Sequence, residues 1–233
     1  MIKNKKMSGF SFFSLGLLVF LALGMDLFVI LIDRLIWGSE LQVNTFFQNP
    51  WYVLVVHWSI VVALWIIGGL LTFKFLIKKN VVEEVISIKW NNNLVYLLII
   101  AAVGSISLTI FESLIFSSSL PQFFKEYQKF VQYHGSIGSI VWLFQNIYYV
   151  IESMLVVLLL ALMQRAGEIW FKSQSFPYGG IGLLLTWGIS HLIHGLISGL
   201  WICAFSLVFG WIFIKAKKCW WPSLLFVWLM FFI

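Results

Sequence analysis

Long apolar runs, each bounded by polar or charged residues, limit this chain to a membrane protein. Runs close to the ~20 residues that cross about 30 Å of hydrocarbon fall at roughly 10–36, 51–77, 93–117, 137–164, 178–198 and 199–214, with a shorter one at 220–233. Because a segment in lipid must satisfy its backbone hydrogen bonds internally, runs of this kind are expected to be helices. The sequence therefore predicts an all-α, polytopic transmembrane helix bundle of about seven segments.

Composition excludes a soluble domain. Of the 233 residues, 61% are hydrophobic and 10% are charged, and the mean hydropathy is +0.98. Ordinary globular domains are about half apolar and about a quarter charged. The first apolar run, from Phe10 to about Trp37, is also longer than the core of a secretory signal peptide, so we interpret it as an uncleaved first span.

Basic residues predict the orientation of the bundle. In the predicted topology one side carries Lys3, Lys5, Lys6, Lys74, Lys78, Lys79, Lys89, Arg165, Lys172, Lys215, Lys217 and Lys218, and the other carries Arg34, Lys125 and Lys129. Since basic loops stay in the cytoplasm, the N-terminus is predicted to be cytoplasmic. We attribute the formal charge of +6 to the basic residues that set the membrane topology. The expected partner is therefore the lipid bilayer, and binding to nucleic acid is not expected.

Segment 118–136 alternates aromatic and charged residues. This pattern is typical of a helix that lies in the membrane interface. It is interpreted either as a lid or docking surface, or as an ordinary amphipathic helix in a loop. Further along, the close junction at Ser198-Gly199 predicts a tight hairpin or one broken helix.

Three ionisable residues in apolar runs are the candidate site: Glu152, His191 and His194. Such residues are costly in a membrane and mark functional sites by default. At about 1.5 Å per residue, Glu152 and His191 lie about 18 Å and about 20 Å from the cytoplasmic ends of their helices. Because their depths match, we expect the two side chains to approach each other across adjacent helices.

Other interpretations of these polar residues stay open. Glu152 and His191 are also explained by a structural hydrogen bond between helices. No cofactor is required, although a divalent metal held by Glu152, His191, His194 and Glu112 is an alternative. His-x-x-His has looser geometry than the i, i+4 zinc motif, which weakens that alternative.

The outer half of the membrane is predicted to hold further polar groups. Asp26 and His57 are expected near its outer boundary, in solvated or structural roles. Asp33 with Arg34 is expected to form an anchor at the membrane interface.

From Tyr148 to the C-terminus, the order of IESMLVV, TWGISH and LVFGWIFIKAKKCWWPSLL resembles that of motifs in the CAAX-protease and bacteriocin-processing (CPBP, or Abi) family of intramembrane proteases. IESMLVV places Glu152 at the first glutamate of the family's Glu-Glu-x-x-x-Arg, and TWGISH places Trp187 and His191 on its Phe-x-x-x-His. LVFGWIFIKAKKCWWPSLL is similar to the family's Gly-containing helix, basic turn and Trp-Pro start. The resemblance implies a CPBP-like helical core at 137–233, preceded by N-terminal transmembrane helices and the interfacial segment at 1–136.

Several family positions differ in this chain. Ser153 stands at the second glutamate and Val157 at the arginine, while Val227 and Phe231 stand at a later histidine and asparagine. These departures imply reduced or absent catalysis.

The resemblance implies an intramembrane endopeptidase in a bacterial plasma membrane that cuts a membrane-associated peptide or protein. Glu152 would be the general base, His191 the proton donor or electrostatic stabiliser, and His194 an auxiliary group. Two alternatives stay open: a non-catalytic membrane partner or bacteriocin-immunity protein, and a small transporter.

Overall fold

The structure is a computed structural model that describes residues 7–38, 41, 46–88, 95–96, 99–100, 103, 107, 110 and 121–231. For His194 it describes the backbone alone. Apart from isolated positions, the predicted third segment at 93–117 lies outside the described residues, and so does its Glu112.

The described residues fold into helices joined by turns. The helices are α1 (Gly9–Leu23), α2 (Met25–Trp37), α3 (Trp51–Lys79), α4 (Val82–Val85), α5 (Gln122–His134), α6 (Gly138–Phe171), α7 (Tyr178–Leu183), α8 (Leu196–Lys215) and α9 (Trp220–Met230). One isolated backbone bridge, between Ser87 and Cys219, joins two of the turns. The prediction of an all-α fold is confirmed for these parts of the chain.

Four helical stretches are long and apolar enough to cross a membrane: Gly9–Trp37, Trp51–Lys79, Gln122–Phe171 and Leu196–Lys215. The first joins α1 and α2 through Gly24, and the third joins α5 and α6 through a short 3₁₀ turn. Tyr178–Ile193 and Trp220–Met230 are apolar but shorter. A helical bundle with apolar helices of membrane-spanning length is therefore confirmed for the described residues, whereas insertion in a membrane, the number of spans and the two-part division at residue 136 stay predictions.

Helix α6 lies at the centre of the bundle. Residues 155–163 are all buried, with none more than 5% exposed. Nine consecutive buried residues cover every side of a helix that has about 3.6 residues per turn, so α6 is enclosed on every side here. The residues that enclose α6 come from α1, α3, α7, α8 and α9, and include Phe12, Val19, Val61, Trp65, Leu183, Phe209 and Val227.

Charged groups join several helix ends at what we call the basic end: the C-termini of α3 and α6, helix α4, and the turn at residues 216–219. Arg165 on α6 contacts Glu84 at 2.6 Å, and Lys218 contacts Glu168 at 2.6 Å. The backbone carbonyl of Lys218 also accepts a hydrogen bond from the backbone N–H of Ser87. The segments whose lysines are predicted to share one side therefore meet at one end of the bundle.

Helix α5 forms within the predicted interfacial segment and is amphipathic. Its Glu126 and Phe130 are 5% and 0% exposed, whereas Phe124 and Tyr133 are 52% and 46% exposed. Phe130 packs in a second apolar cluster with residues of α3 and α6. Helix α5 is therefore attached to the bundle along one face.

The predicted break at Ser198-Gly199 is wrong by about one turn. The chain breaks at Gly195, whose φ of 133° and ψ of 147° lie in a region that only glycine adopts cheaply. Helix α8 then begins at Leu196, and Gly199 lies inside it. A Cβ on Gly199 would lie 2.6 Å from Leu192 Cα, so this glycine allows close packing of the two arms.

We predict that Gly210→Val destabilises the protein. A Cβ on Gly210 would lie 2.5 Å from Gly180 Cα and 2.6 Å from Gly180 N, and backbone atoms cannot move aside as a flexible side chain does. Overpacking of this kind costs about 1–3 kcal/mol. Thermal unfolding in detergent should show a lower midpoint for Gly210→Val.

The matched control is Gly24→Ala. Gly24 has φ −66°, and its nearest contact would be 3.4 Å from the added Cβ. Equal midpoints for the Gly210→Val variant and the unmodified chain would contradict the tight crossing of α7 and α8.

Candidate functional site

Glu152 is a buried carboxyl group held by an indole. It lies on α6 and is 7% exposed. Trp187 donates its Nε1–H to Glu152 Oε1 at 3.1 Å. Because ionisable groups in a membrane interior need partners within the protein, this bond explains how a glutamate is accommodated there.

A π-helical turn places Trp187. After α7 the chain widens at Leu184–Gly188, and Trp187 within this turn is 2% exposed. Single π turns change the direction of the residues that follow and occur frequently at functional sites. The Thr186 hydroxyl donates to the Gly182 carbonyl at 2.8 Å, which satisfies a backbone group beside the widened turn.

His191 contacts the same tryptophan. Its Nδ1 lies 2.7 Å from the Trp187 carbonyl oxygen, and the two rings meet edge to face at 4.5 Å between centroids. Since a carbonyl only accepts, Nδ1 carries the proton in this bond. This bond fixes the orientation of the ring relative to the helix that carries it.

Trp187 thus forms a hydrogen bond with each of the two predicted site residues, Glu152 and His191. It donates to Glu152 with its indole and accepts from His191 with its backbone. From its sequence position, Trp187 is expected only to replace a phenylalanine, and its hydrogen bond to Glu152 was not predicted. The available signal was its position four residues before His191, which is one helical turn.

The side chains of two predicted site residues, Glu112 and His194, lie outside the described part of the structure. Glu112 falls outside the described residues, and of His194 only the backbone is given, in the 3₁₀ turn His191–His194. Among the side chains that the structure describes, no three histidines, cysteines or acidic residues are grouped to hold a metal ion. The predicted metal site with Glu112 and His194 among its ligands is therefore untested.

A second polar cluster joins α2 and α3. His57 Nδ1 lies 2.6 Å from Asp33 Oδ2, and His57 Nε2 lies 3.1 Å from Asp26 Oδ1. The side chains of His57 and Asp33 are 3% and 1% exposed, whereas that of Asp26 is 26% exposed. The expectation that Asp33 forms an interfacial anchor with Arg34 is wrong, because Asp33 contacts His57 inside the bundle. Of the two roles expected for His57, solvated or structural, the buried contact fits the structural one.

Helix α6 carries further polar groups near Glu152. Tyr149 donates its hydroxyl to Glu126 of α5 at 3.0 Å and accepts from Gln145 at 2.8 Å. Tyr148 packs against Trp65 of α3, with ring centroids 4.6 Å apart. Because residues 145, 148, 149 and 152 recur at helical spacing, they share one broad face of α6.

The positions where this chain departs from the CPBP pattern are filled by three buried residues and by the partly buried Phe231. Ser153 is 0% exposed and donates to the Tyr149 carbonyl on its own helix. Val157 and Val227 are 0% and 1% exposed. Phe231 stacks on Tyr149 at 4.7 Å. These residues contribute packing at places where the family has ionisable or amide side chains.

We predict that Trp187→Phe destabilises the protein by about 1–3 kcal/mol, the usual cost of leaving a buried polar group without its hydrogen bond. The phenyl ring preserves most of the packing and removes only the donor to Glu152. Thermal unfolding in detergent should therefore show a lower midpoint.

Trp211→Phe is the control, because Trp211 is 54% exposed. If Trp187→Phe unfolds no earlier than Trp211→Phe, the indole bond does not stabilise Glu152.

Comparisons of this chain with protein-family models, with curated proteins and with solved structures find no match. The likeness to the CPBP family therefore rests on the order of residues quoted above, and it stays a prediction.

Proposed function

We propose that this chain is an intramembrane endopeptidase of the CPBP type that hydrolyses a peptide bond in a membrane-associated peptide or protein. The observation that carries the proposal is that buried Glu152 and half-buried His191 both form a hydrogen bond with Trp187. General-base catalysis needs a carboxylate beside a water molecule and a group that stabilises the developing charge. Glu152 and His191 are the residues here that meet these needs.

Each residue has a separate role in the proposed reaction. Glu152 Oε1 accepts from Trp187, so Oε2 is the oxygen that takes a proton from the attacking water. The water oxygen then bonds to the peptide carbonyl carbon. His191, whose Nδ1–H is held by the Trp187 carbonyl, stabilises the negative charge that develops on the carbonyl oxygen of the substrate. Breakage of the C–N bond follows when the nitrogen receives the proton held by Glu152.

The orientation of the bundle follows from charge. Lysines at the basic end include Lys78, Lys79, Lys215 and Lys217. Basic segments are retained in the cytoplasm during insertion. We therefore assign the basic end to the cytoplasm of a bacterial plasma membrane, with Glu152 and the Asp26–His57–Asp33 cluster toward the outer half.

A specific observation favours a second candidate, a non-catalytic membrane partner such as an immunity protein. Ser153, Val157 and Val227 are buried at positions where the family pattern has a glutamate, an arginine and a histidine. In that case Glu152 and Trp187 would act as a polar link between helices. Such links contribute on the order of 1 kcal/mol in membrane bundles.

Glu152→Gln separates the two candidates. The amide keeps the shape of the side chain and still accepts from Trp187, but it cannot take a proton from water. Since a general base contributes about 10²–10⁴-fold, peptide products of the active chain should disappear. Mass spectrometry of labelled new N-termini in membranes from expressing cells measures this loss without a known substrate.

Ser153→Ala is the matched control at the adjacent position, because it removes only a hydrogen bond within its own helix. Membrane abundance of each variant is measured in parallel. New N-termini that persist in Glu152→Gln at the level of Ser153→Ala would rule out the hydrolase and leave the partner protein.

We predict that the basic end is cytoplasmic. In a variant with Cys203 and Cys219 replaced by serine, cysteines at Lys78 and Lys215 should resist an impermeant maleimide in intact cells, because the reagent cannot cross the membrane. A cysteine at Gln128, exposed on α5, should react. Labelling at residues 78 and 215 in intact cells, without labelling at 128, would show that the basic end faces the outside and would contradict this prediction.

A further inference from the structure

Two carboxyl groups of α2 hold one histidine of α3. His57 Nδ1 lies 2.6 Å from Asp33 Oδ2, and His57 Nε2 lies 3.1 Å from Asp26 Oδ1. Carboxylates only accept hydrogen bonds, so each contact needs one proton. An imidazolium between two carboxylates supplies both protons, and so does a neutral imidazole beside one carboxylic acid. In either arrangement the cluster carries a single negative charge.

Loss of one proton leaves two acceptors facing each other. The two contacts then share a single proton, and the three groups carry two negative charges. The longer contact, to Asp26, is the one that loses its proton, since the Asp26 side chain is 26% exposed and that of Asp33 is 1% exposed. Because the nitrogen lone pair and the carboxylate oxygen are both acceptors, the neutral ring no longer binds Asp26.

Helix α2 places little apolar surface inside the bundle. Of its residues, Val29 and Asp33 are buried, whereas the preceding helix α1 buries six residues. The rings of Trp37 and Tyr52 add a contact at the end of α2, with centroids 5.5 Å apart. The two bonds to His57 are therefore a main part of the attachment of α2 to α3.

The junction between α1 and α2 allows α2 to move separately. It lies at Gly24, whose ψ of −11° departs from the α-helical value of about −42°. Glycine has no Cβ to restrict a turn at this point. Helix α1 is packed into the main apolar core through Phe12 and Val19. A change in the bonds of α2 therefore leaves α1 in place.

Among the described residues, two further titratable groups act on the cluster. From α6, Tyr148 and Glu152 interact electrostatically with Asp26. The turn at residues 46–48 contributes only the edge of an uncharged phenyl ring, 4.9 Å from the centre of the His57 ring. The charged and titratable groups nearby on α2 and α5 are exposed or bonded elsewhere: Arg34 is exposed, Glu126 accepts from Tyr149, Lys129 lies over the Phe47 ring, and His134 contacts the Phe47 carbonyl.

We propose that the Asp26–His57–Asp33 cluster is a proton-dependent attachment of α2 to α3. While both contacts hold a proton, α2 is bound to α3. When the pH rises and Nε2 releases its proton to water, the Asp26 contact is lost and α2 turns away about Gly24. The attachment is therefore complete at low pH and weakens as the pH rises. This device is separate from hydrolysis at Glu152 and follows from the contacts of α2 alone.

Cysteine labelling of the purified chain in detergent measures the attachment. In a chain with Cys203 and Cys219 replaced by serine, Val29→Cys places a thiol at a position that is 0% exposed while α2 is bound. Leu35→Cys, at a position 85% exposed on the same helix, gives the reactivity of an accessible thiol at each pH. The ratio of the two maleimide labelling rates reports the release of α2. We expect this ratio to rise by about tenfold or more between about pH 5 and about pH 9, a range that brackets the titration of imidazole.

Two variants of the cluster test the cause of this rise. In His57→Gln no imidazole titrates, so the ratio should be the same throughout the range. In Asp26→Asn the amide N–H donates to the neutral Nε2, so the ratio should keep its low-pH value at high pH. Thermal unfolding midpoints identify a variant that is unfolded, and the other variant then decides.

His134→Gln is the matched control, because His134 lies on α5 and contacts the Phe47 carbonyl. It should keep the full dependence on pH. A ratio that is constant with pH while the cluster is unmodified overturns the proposal, and so does a rise that persists in folded His57→Gln or disappears in His134→Gln. None of these results depends on peptide cleavage, so the hydrolase and the attachment of α2 stand or fall separately.

Discussion

Charged side chains that leave water must be partnered inside the bundle, and the polar architecture of this protein depends on that requirement. An unpartnered charge in hydrocarbon is costly, so each buried acid described here has a donor from another helix. Glu152 accepts from Trp187, Asp33 contacts His57, and Glu168 contacts Lys218. These bonds join α6 to the π turn after α7, α2 to α3, and α6 to the turn before α9. The acids therefore specify which helices are neighbours.

Helix α6 separates two polar levels. In its N-terminal part it carries Tyr148, Tyr149 and Glu152, and at the basic end it carries Arg165 and Glu168. Between them, residues 155–163 form a fully buried apolar stretch, about 13 Å of helix. This stretch separates Glu152 from the ion pairs of the basic end.

The departures from the CPBP pattern fit together physically. With a second glutamate absent at Ser153, an arginine at Val157 would be a charge without a partner in that pattern, and valine removes it. The indole of Trp187, at a phenylalanine position of the family, supplies the remaining glutamate with a neutral donor. The site therefore has fewer ionisable side chains than the CPBP pattern, and none of them is left without a partner. This arrangement is consistent with modified catalysis and equally with a structural link between helices.

Sequence alone determined the class of fold. Apolar run length and the need to satisfy backbone groups in lipid predict helices whatever their neighbours are, whereas the similar depth of Glu152 and His191, obtained by counting residues, stays a prediction. Only the tertiary structure decided which groups meet, because depth along a helix says nothing about rotation around it. The π turn at Leu184–Gly188 turned Trp187 toward Glu152, and close packing of α2 with α3 converted an expected surface anchor, Asp33, into a buried partner of His57. The break at Gly195 was likewise decided by a backbone conformation that glycine adopts cheaply, which apolar periodicity does not report.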